Sequence, residues 1–377
     1  MEFTYHLPVN LLFGRGKADT VGAETAKYGK RALVVTGRGS TKKSGLLDRV
    51  LAQLKAAGVA AVLFDRVAQN PLTTTAYDGA QLALEENCDV VLGVGGGSIM
   101  DAAKAIAFIA CNSGDISDYI FGLKVSDRAL PIVLVPTTCG TGSEGNGFAV
   151  LTNPETKDKK SLRCNAIVAK ASIIDPELMK TLPKTVLASV GFDALCHNME
   201  AYLSKIGQPL TDVMALEGIR LVGESLLCVY GGDGSDEDWE KLTLASTLGG
   251  MVINTAGITA PHGMEHPVSG LRDVVHGKGL AALTPVIIDA SIGGAPEKFA
   301  LISRLLGGRD EYDCADRVRA LLAALDLRVT LGELGVLDSD VPWMAENCLK
   351  VSAAGLNNSP VVFGLEDLKK LYKKSIG

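Results

Sequence analysis

Five histidines are present in this chain of 377 residues, and three of them fall in the stretch HGMEHPVSGLRDVVH at 262 to 276. A fourth, His197, follows Asp193 by four residues, and His262 and His266 repeat that interval. Side chains four apart share one face of a helix, so each pair can close on a single ion. His276 comes ten residues after His266. A lone histidine would be read as a packing or surface residue. Four within an 80-residue window, paired at helical spacing, point instead to a metal. One carboxylate and three imidazoles suit a divalent transition ion such as Fe²⁺ or Zn²⁺, with part of its coordination left open for substrate.

Glycine-rich turns supply a second kind of chemistry. GVGGGSIMDAAK (93 to 104) sets three consecutive glycines between an apolar run and a helical pattern. Such a backbone can turn sharply and bring N–H groups, aided by the helix dipole, against a pyrophosphate. Ser98 and Asp101 are also spaced for a capping box on a tight turn, a plainer reading compatible with the first. PTTCGTGSE (136 to 144) follows the next strand, and loops at the carboxyl ends of adjacent parallel strands share one crevice. At the end of the first strand, TGRGSTKK (36 to 43) lacks the carboxylate that would accept the adenosine 2′-hydroxyl. Gly37 leaves room there, Ser40 offers a hydroxyl, and Arg38 with Lys42 or Lys43 offers positive charge. The turn therefore predicts NADP, with NAD as the second choice.

These groups need a scaffold. RALVVTG (31 to 37), AAVLFD (60 to 65), DVVLGVGGG (89 to 97) and LPIVLVPTT (130 to 138) read as strands, with helices at 44 to 58, near 73 to 87 and from Ser98 to about Ala110. Doubly apolar strands alternating with helices predict a parallel sheet covered on both faces. FAVLTN and the stretch from Lys159 to Asp175 read as further strands, with a hairpin as one arrangement of them. After IIDPELMKTLP the pattern becomes long and helical, as at 185 to 204 and 239 to 253. A boundary near Pro183 divides an α/β domain (1 to 183) from an all-helical one (184 to 377).

Composition narrows the classes. At 47% hydrophobic and 21% charged the chain can bury large cores, and a net charge of −6 without a long basic run excludes a nucleic-acid footprint. No apolar stretch reaches bilayer length and MEFTYHLPVN is no signal peptide, so a cytoplasmic protein with no membrane partner is expected. Eight scattered cysteines without a CxxC pair read as reduced thiols.

GGGSIMDAAK, PTTCGTGSE, GFDALCHNMEAYLS and HGMEHPVSGLRDVVHG, in this order, resemble the iron-containing (group III) alcohol dehydrogenase family over nearly the whole chain. The resemblance implies a Rossmann-like nucleotide-binding domain, an all-helical metal-binding domain of the dehydroquinate synthase type, and an active site in the cleft between them. It assigns the metal to Asp193, His197, His262 and His276 and leaves His266 beside the nicotinamide as a proton relay. It assigns cofactor contacts to Asn70, Gly96, Gly97, Ser98, Asp101, Thr137, Thr138 and Lys160. The implied reaction is metal-assisted hydride transfer between NAD(P) and a small primary alcohol, diol or aldehyde, in a homodimer built on the N-terminal segment.

Two stretches depart from the family pattern. Glu265 stands where a small residue is common, and GSEGNG (142 to 147) lacks the usual apolar and threonine residues after GSE. Glu265 either faces the cleft and raises the proton affinity of His266, or turns away to pair with Arg272 or Lys278. A weaker likeness to dehydroquinate synthase offers a second function, an NAD- and metal-dependent lyase. Its phosphate substrate would need a basic pocket, and Lys205, Arg220, Lys241, Arg272 and Lys278 make no compact motif.

Overall fold

A strand that is apolar on both sides is stable only when helices cover both faces of its sheet. The computed structural model, which describes residues 2 to 377, has such a sheet. Its strands are β1 (Leu11–Phe13), β2 (Arg31–Gly37), β3 (Ala60–Val67), β4 (Val90–Gly95), β5 (Ile132–Pro136) and β8 (Ala171–Ile174), while β6 (Phe148–Thr152) and β7 (Lys159–Arg163) form a separate antiparallel pair. The six-stranded sheet is parallel throughout, in the order β1-β8-β5-β4-β2-β3. Successive side chains alternate between its faces. Leu33, Val35, Val91 and Leu134 pack towards helices α2 (Thr73–Glu85) and α3 (Gly97–Ile109), and Ala32, Val34, Leu92 and Val133 pack towards α1 (Leu46–Ala56).

Every regular element after Ile174 is helical. The first long helices here are α4 (Lys184–Leu203), α5 (Pro209–Gly231), α6 (Asp236–Ala256), α7 (Ala260–Arg272) and α8 (His276–Ser291), and all of them except α5 contribute residues to the site. Helix α4 is buried on nearly every side from Leu187 onwards, including the polar Asp193, His197, Asn198 and Glu200. It is the central helix of this half, and its buried polar groups require partners there.

The structure adds detail to the sequence expectation in two places. β1 is three residues long and too short to show a period, and its pairing with β8 makes it a strand. The stretch from Lys159 to Asp175 divides, with β7 pairing only with β6 outside the main sheet and β8 returning to it. All eight cysteines are free, and among the described residues no single helix is long and apolar enough to cross a membrane.

Candidate active site

Helix α4 presents Asp193, His197 and Glu200 on one face, at intervals of four and three. Helix α7 brings His262 and His266 against it, and α8 starts at His276. Asp193 Oδ1 lies 3.3 Å from His262 Nε2, 3.6 Å from His197 Nδ1 and 3.8 Å from His276 Nε2. One donor atom from each of Asp193, His262 and His276 falls within 4.8 Å of the others. His197 borders this group, with its ring stacked on His262 at 4.3 Å and its Nδ1 3.3 Å from the Gly140 carbonyl.

Two further carboxylates fix the imidazoles. His262 Nδ1 meets Glu200 Oε1 at 2.5 Å, and Glu200 Oε2 accepts the Thr259 N–H at 2.8 Å. One side chain thus orients the ring and satisfies an N–H at the start of α7 that has no partner within the helix. His276 Nδ1 meets Glu265 Oε2, and the other oxygen of Glu265 accepts the Ser269 hydroxyl. Both histidines therefore turn Nε2 towards Asp193 while a carboxylate holds Nδ1, the arrangement that orients metal-ligating imidazoles. Pro267 follows His266 and has no N–H, so the Gly263 carbonyl takes the Cys348 thiol at 3.2 Å instead.

Burial pushes His197 down to about 4. It acts the same way on His262, but the Glu200 and Asp193 carboxylates outweigh it and push that ring up to about 10. Burial would raise Asp193, yet His197, His262 and His276 hold it far below the usual carboxylate range. Three buried carboxylates around three imidazoles require positive charge between them. A divalent cation fits this donor set.

Glu265 follows neither of its expected courses. Adjacent helical residues diverge by about 100°, so Glu265 points away from His266 and meets Ser269, one turn on, together with His276. Arg272 pairs with Asp340 at 2.6 Å. The charge beside Glu265 is Lys159, 3.5 Å away. His266 is pushed well below the ordinary histidine value, by burial first and then by Lys159 and His276, and is neutral near pH 7.

His197, His262, His266 and His276 line a cavity of about 120 Å³ that extends to Ser161 and Arg163. An adjoining cleft runs from Asp193 and His276 past Gly96, Gly97, Ser98 and Thr138. A Cβ on Gly97 would fall 2.3 Å from Thr141, so glycine is what lets α3 begin this close to the 136 to 144 loop. Gly142 has φ +56, and a Cβ there would fall 2.3 Å from the Ser246 carbonyl, which locks the loop onto α6. The two glycine-rich turns thus abut.

The remaining predicted contacts are distributed differently. Ser98 and Asp101 form no capping box: Gly96 caps α3, and Asp101 accepts the Ser143 hydroxyl at 2.6 Å and the Val150 N–H at 3.0 Å. Asn70, at φ 45, donates to Asp273 at 2.7 Å and to the Val274 carbonyl at 3.1 Å, and accepts from Lys159 at 3.0 Å. It joins the two halves just before His276. Ser40 and Thr137 line a separate cavity with Thr41 and Thr181. Gly37 ends β2, Lys43 is exposed, and Lys42 pairs with Asp65 of β3. Lys160 lies outside the cleft and donates to the Val351 carbonyl at 2.5 Å. Strand alternation explains this, because Lys159, Ser161 and Arg163 share the cleft-facing side of β7 and Lys160 must face away.

The sequence reading missed Glu200, which holds His262, and among the cavity-lining residues it missed Lys159, Ser161 and Arg163. Glu200 carried a signal, since it falls seven residues after Asp193 and three after His197 on the same helical face.

Residues 8–176 match the model of the family described as iron-containing alcohol dehydrogenase, and residues 187–376 match that of the Fe-containing alcohol dehydrogenase family, C-terminal. The chain is 37% identical to the 1,3-propanediol dehydrogenase of Klebsiella pneumoniae, with 92% of each chain covered. It is 30% identical to the NAD-dependent methanol dehydrogenase of Bacillus methanolicus, with 99% of each covered. Among solved structures, the archaeal halo-thermophilic Red Sea brine pool alcohol dehydrogenase ADH/D1 superimposes with a TM-score of 0.95 at 34% identity, covering 100% of this chain and 99% of that one.

Proposed function

This chain belongs to the iron-containing alcohol dehydrogenase family, and from that premise we propose how its cleft divides the work and which cofactor it takes. The protein is an oxidoreductase. The reaction is R–CH₂OH + NAD(P)⁺ ⇌ R–CHO + NAD(P)H + H⁺, in which hydride passes from the carbinol carbon to C4 of the nicotinamide. Relatives named for 1,3-propanediol, methanol and butanol support small primary alcohols and diols as substrates. The observation that carries the site assignment is the group of Asp193, His262 and His276, with Nδ1 of both rings held by carboxylates.

Asp193, His262 and His276, with His197 as the fourth ligand, would hold Fe²⁺ or Zn²⁺. When bound, the ion supplies Lewis acidity towards the alcohol or aldehyde oxygen. His266 lines the same cavity as a neutral imidazole and accepts the hydroxyl proton in the oxidative direction, directly or through water or a ribose hydroxyl. Gly96, Gly97, Ser98 and Thr138 receive the pyrophosphate and nicotinamide side, and Asp101 and Asn70 act there by holding neighbouring segments. Lys159 replaces Lys160 as the cleft lysine.

Gly37, Ser40, Thr137 and Lys43 form the adenosine end in this reading, with NADP preferred to NAD. The absence of a carboxylate at the end of β2 supports the preference, and the Lys42–Asp65 pair, which neutralises one of the basic residues, works against it. We place the domain boundary at Pro183, the protein in the cytoplasm, and a homodimer contact on the edge strand β1, whose only paired neighbour among the described residues is β8. The lyase reading is not favoured, since both halves of the chain match alcohol dehydrogenases. His262→Ala and Asp193→Ala test the site: each should lose bound metal and alcohol-dependent NAD(P)H formation together. Stoichiometric metal with undiminished rates in both variants would overturn the assignment.

A further inference from the structure

The cavity beside the histidines contains a positive charge that no protein group balances. The side chain of Arg163, the last residue of β7, makes no hydrogen bond or ion pair among the described residues, whereas Lys159 on the same face is engaged by Glu265 at 3.5 Å and Asn70 at 3.0 Å. Its guanidinium is held 4.5 Å from the ring of Phe148, its cross-strand partner on β6, which fixes the planar group without neutralising it. Arg163 faces the histidine cavity on one side and a second cavity lined by Lys205 and Asn357 on the other. Asp101 is the sole carboxylate lining the first cavity outside the metal cluster, and both its oxygens are occupied by Ser143 and Val150. No carboxylate lines the second.

Arg163 is exposed to solvent at the mouth of the cavity, so its guanidinium is open to an incoming ligand, and its planar fork matches an oxyanion through two parallel hydrogen bonds. We propose that Arg163 seats an anionic group on the substrate. The physiological alcohol or aldehyde is then a short molecule with its carbinol or carbonyl carbon at the histidines and a carboxylate, sulfonate or phosphonate at its far end. The cofactor pyrophosphate does not meet this charge in the proposed arrangement, because its place is the start of α3 at Gly96 to Ser98. This inference rests on the dehydrogenase reading and names the substrate class within it.

The test uses metal-loaded enzyme and matched pairs: 1-propanol against 3-hydroxypropionate, ethanol against isethionate, and ethanol against 2-hydroxyethylphosphonate. For at least one pair the anionic member should have a kcat/KM roughly tenfold or more above its neutral partner, and Arg163→Gln should lower that ratio by about 30- to 100-fold, mainly through KM. Arg163→Lys should recover part of the ratio. Ethanesulfonate and propionate should inhibit 1-propanol oxidation competitively, and more weakly in Arg163→Gln. Preference for the neutral member in every pair overturns the proposal and leaves the dehydrogenase reading standing. Equal losses on both members in Arg163→Gln, or a rise in cofactor KM alone, also overturn it. Absence of turnover with any member overturns both readings.

Discussion

Replacing Glu265 with alanine removes a fully buried carboxylate that has three neighbours: His276 Nδ1, the Ser269 hydroxyl and, at 3.5 Å, the Lys159 ammonium. Two separable losses should follow. His276 would no longer be held with Nε2 towards Asp193, and loss of such an orienting partner weakens metal binding about 10- to 100-fold, or ~1.4 to 2.8 kcal/mol. Lys159, with a side chain only 6% exposed, would be left without its counter-charge, a destabilisation of about 3 kcal/mol, at the low end for a broken buried pair because Asn70 still accepts from it. Competition between the apoprotein and a chromophoric chelator for Zn²⁺ measures the first, and urea unfolding of the apoprotein measures the second. Adding Lys159→Met to Glu265→Ala removes both charges, so it should restore much of the stability and none of the metal affinity. Glu265→Gln keeps an oxygen for His276 and should fall between the wild type and the alanine variant. Wild-type metal affinity in Glu265→Ala would refute the orienting role.

His266→Ala should retain its metal while kcat/KM falls by about 10² to 10⁴. Metal loss comparable to that of His262→Ala would make His266 a ligand and the proton-transfer account wrong. A Cβ at Gly37 meets nothing closer than the Val67 carbonyl at 3.5 Å, so Gly37→Asp should fold normally and shift preference from NADP towards NAD by about tenfold or more. A higher kcat/KM with NADH than with NADPH in the unaltered enzyme would defeat the cofactor proposal.

The parallel sheet and the helical second half were legible because apolar strand runs and long helical patterns are local signals. β1 was not, since three residues show no period and its pairing partners in β8 lie 161 residues away in sequence. The histidine spacing pointed to a common site because i,i+4 pairs are set by helical geometry alone. How Glu265 is used was not legible: its partners are His276 across a helix boundary and Lys159 on a hairpin, and neither contact follows from neighbouring sequence. Lys159 and Lys160 show the limit most simply. Two adjacent lysines on a strand face opposite sides, and the strand's start decides which one enters the cleft. The partners of Asp101 were not legible for a different reason, because its oxygens accept from Ser143 on a loop and Val150 on β6, whose courses only the tertiary structure sets.

The β6–β7 hairpin stands apart from the six-stranded sheet and places Ser161 and Arg163 against the cavity at alternate positions. Neither residue belongs to the metal cluster or the glycine-rich turns. Exchanging either side chain would alter the cavity lining without replacing a residue of α4, α7 or α8. The ribbon thus carries two kinds of position side by side: Lys159 is tied to the metal cluster through Glu265, while Ser161 and Arg163 on the same face border the cavity without touching that cluster.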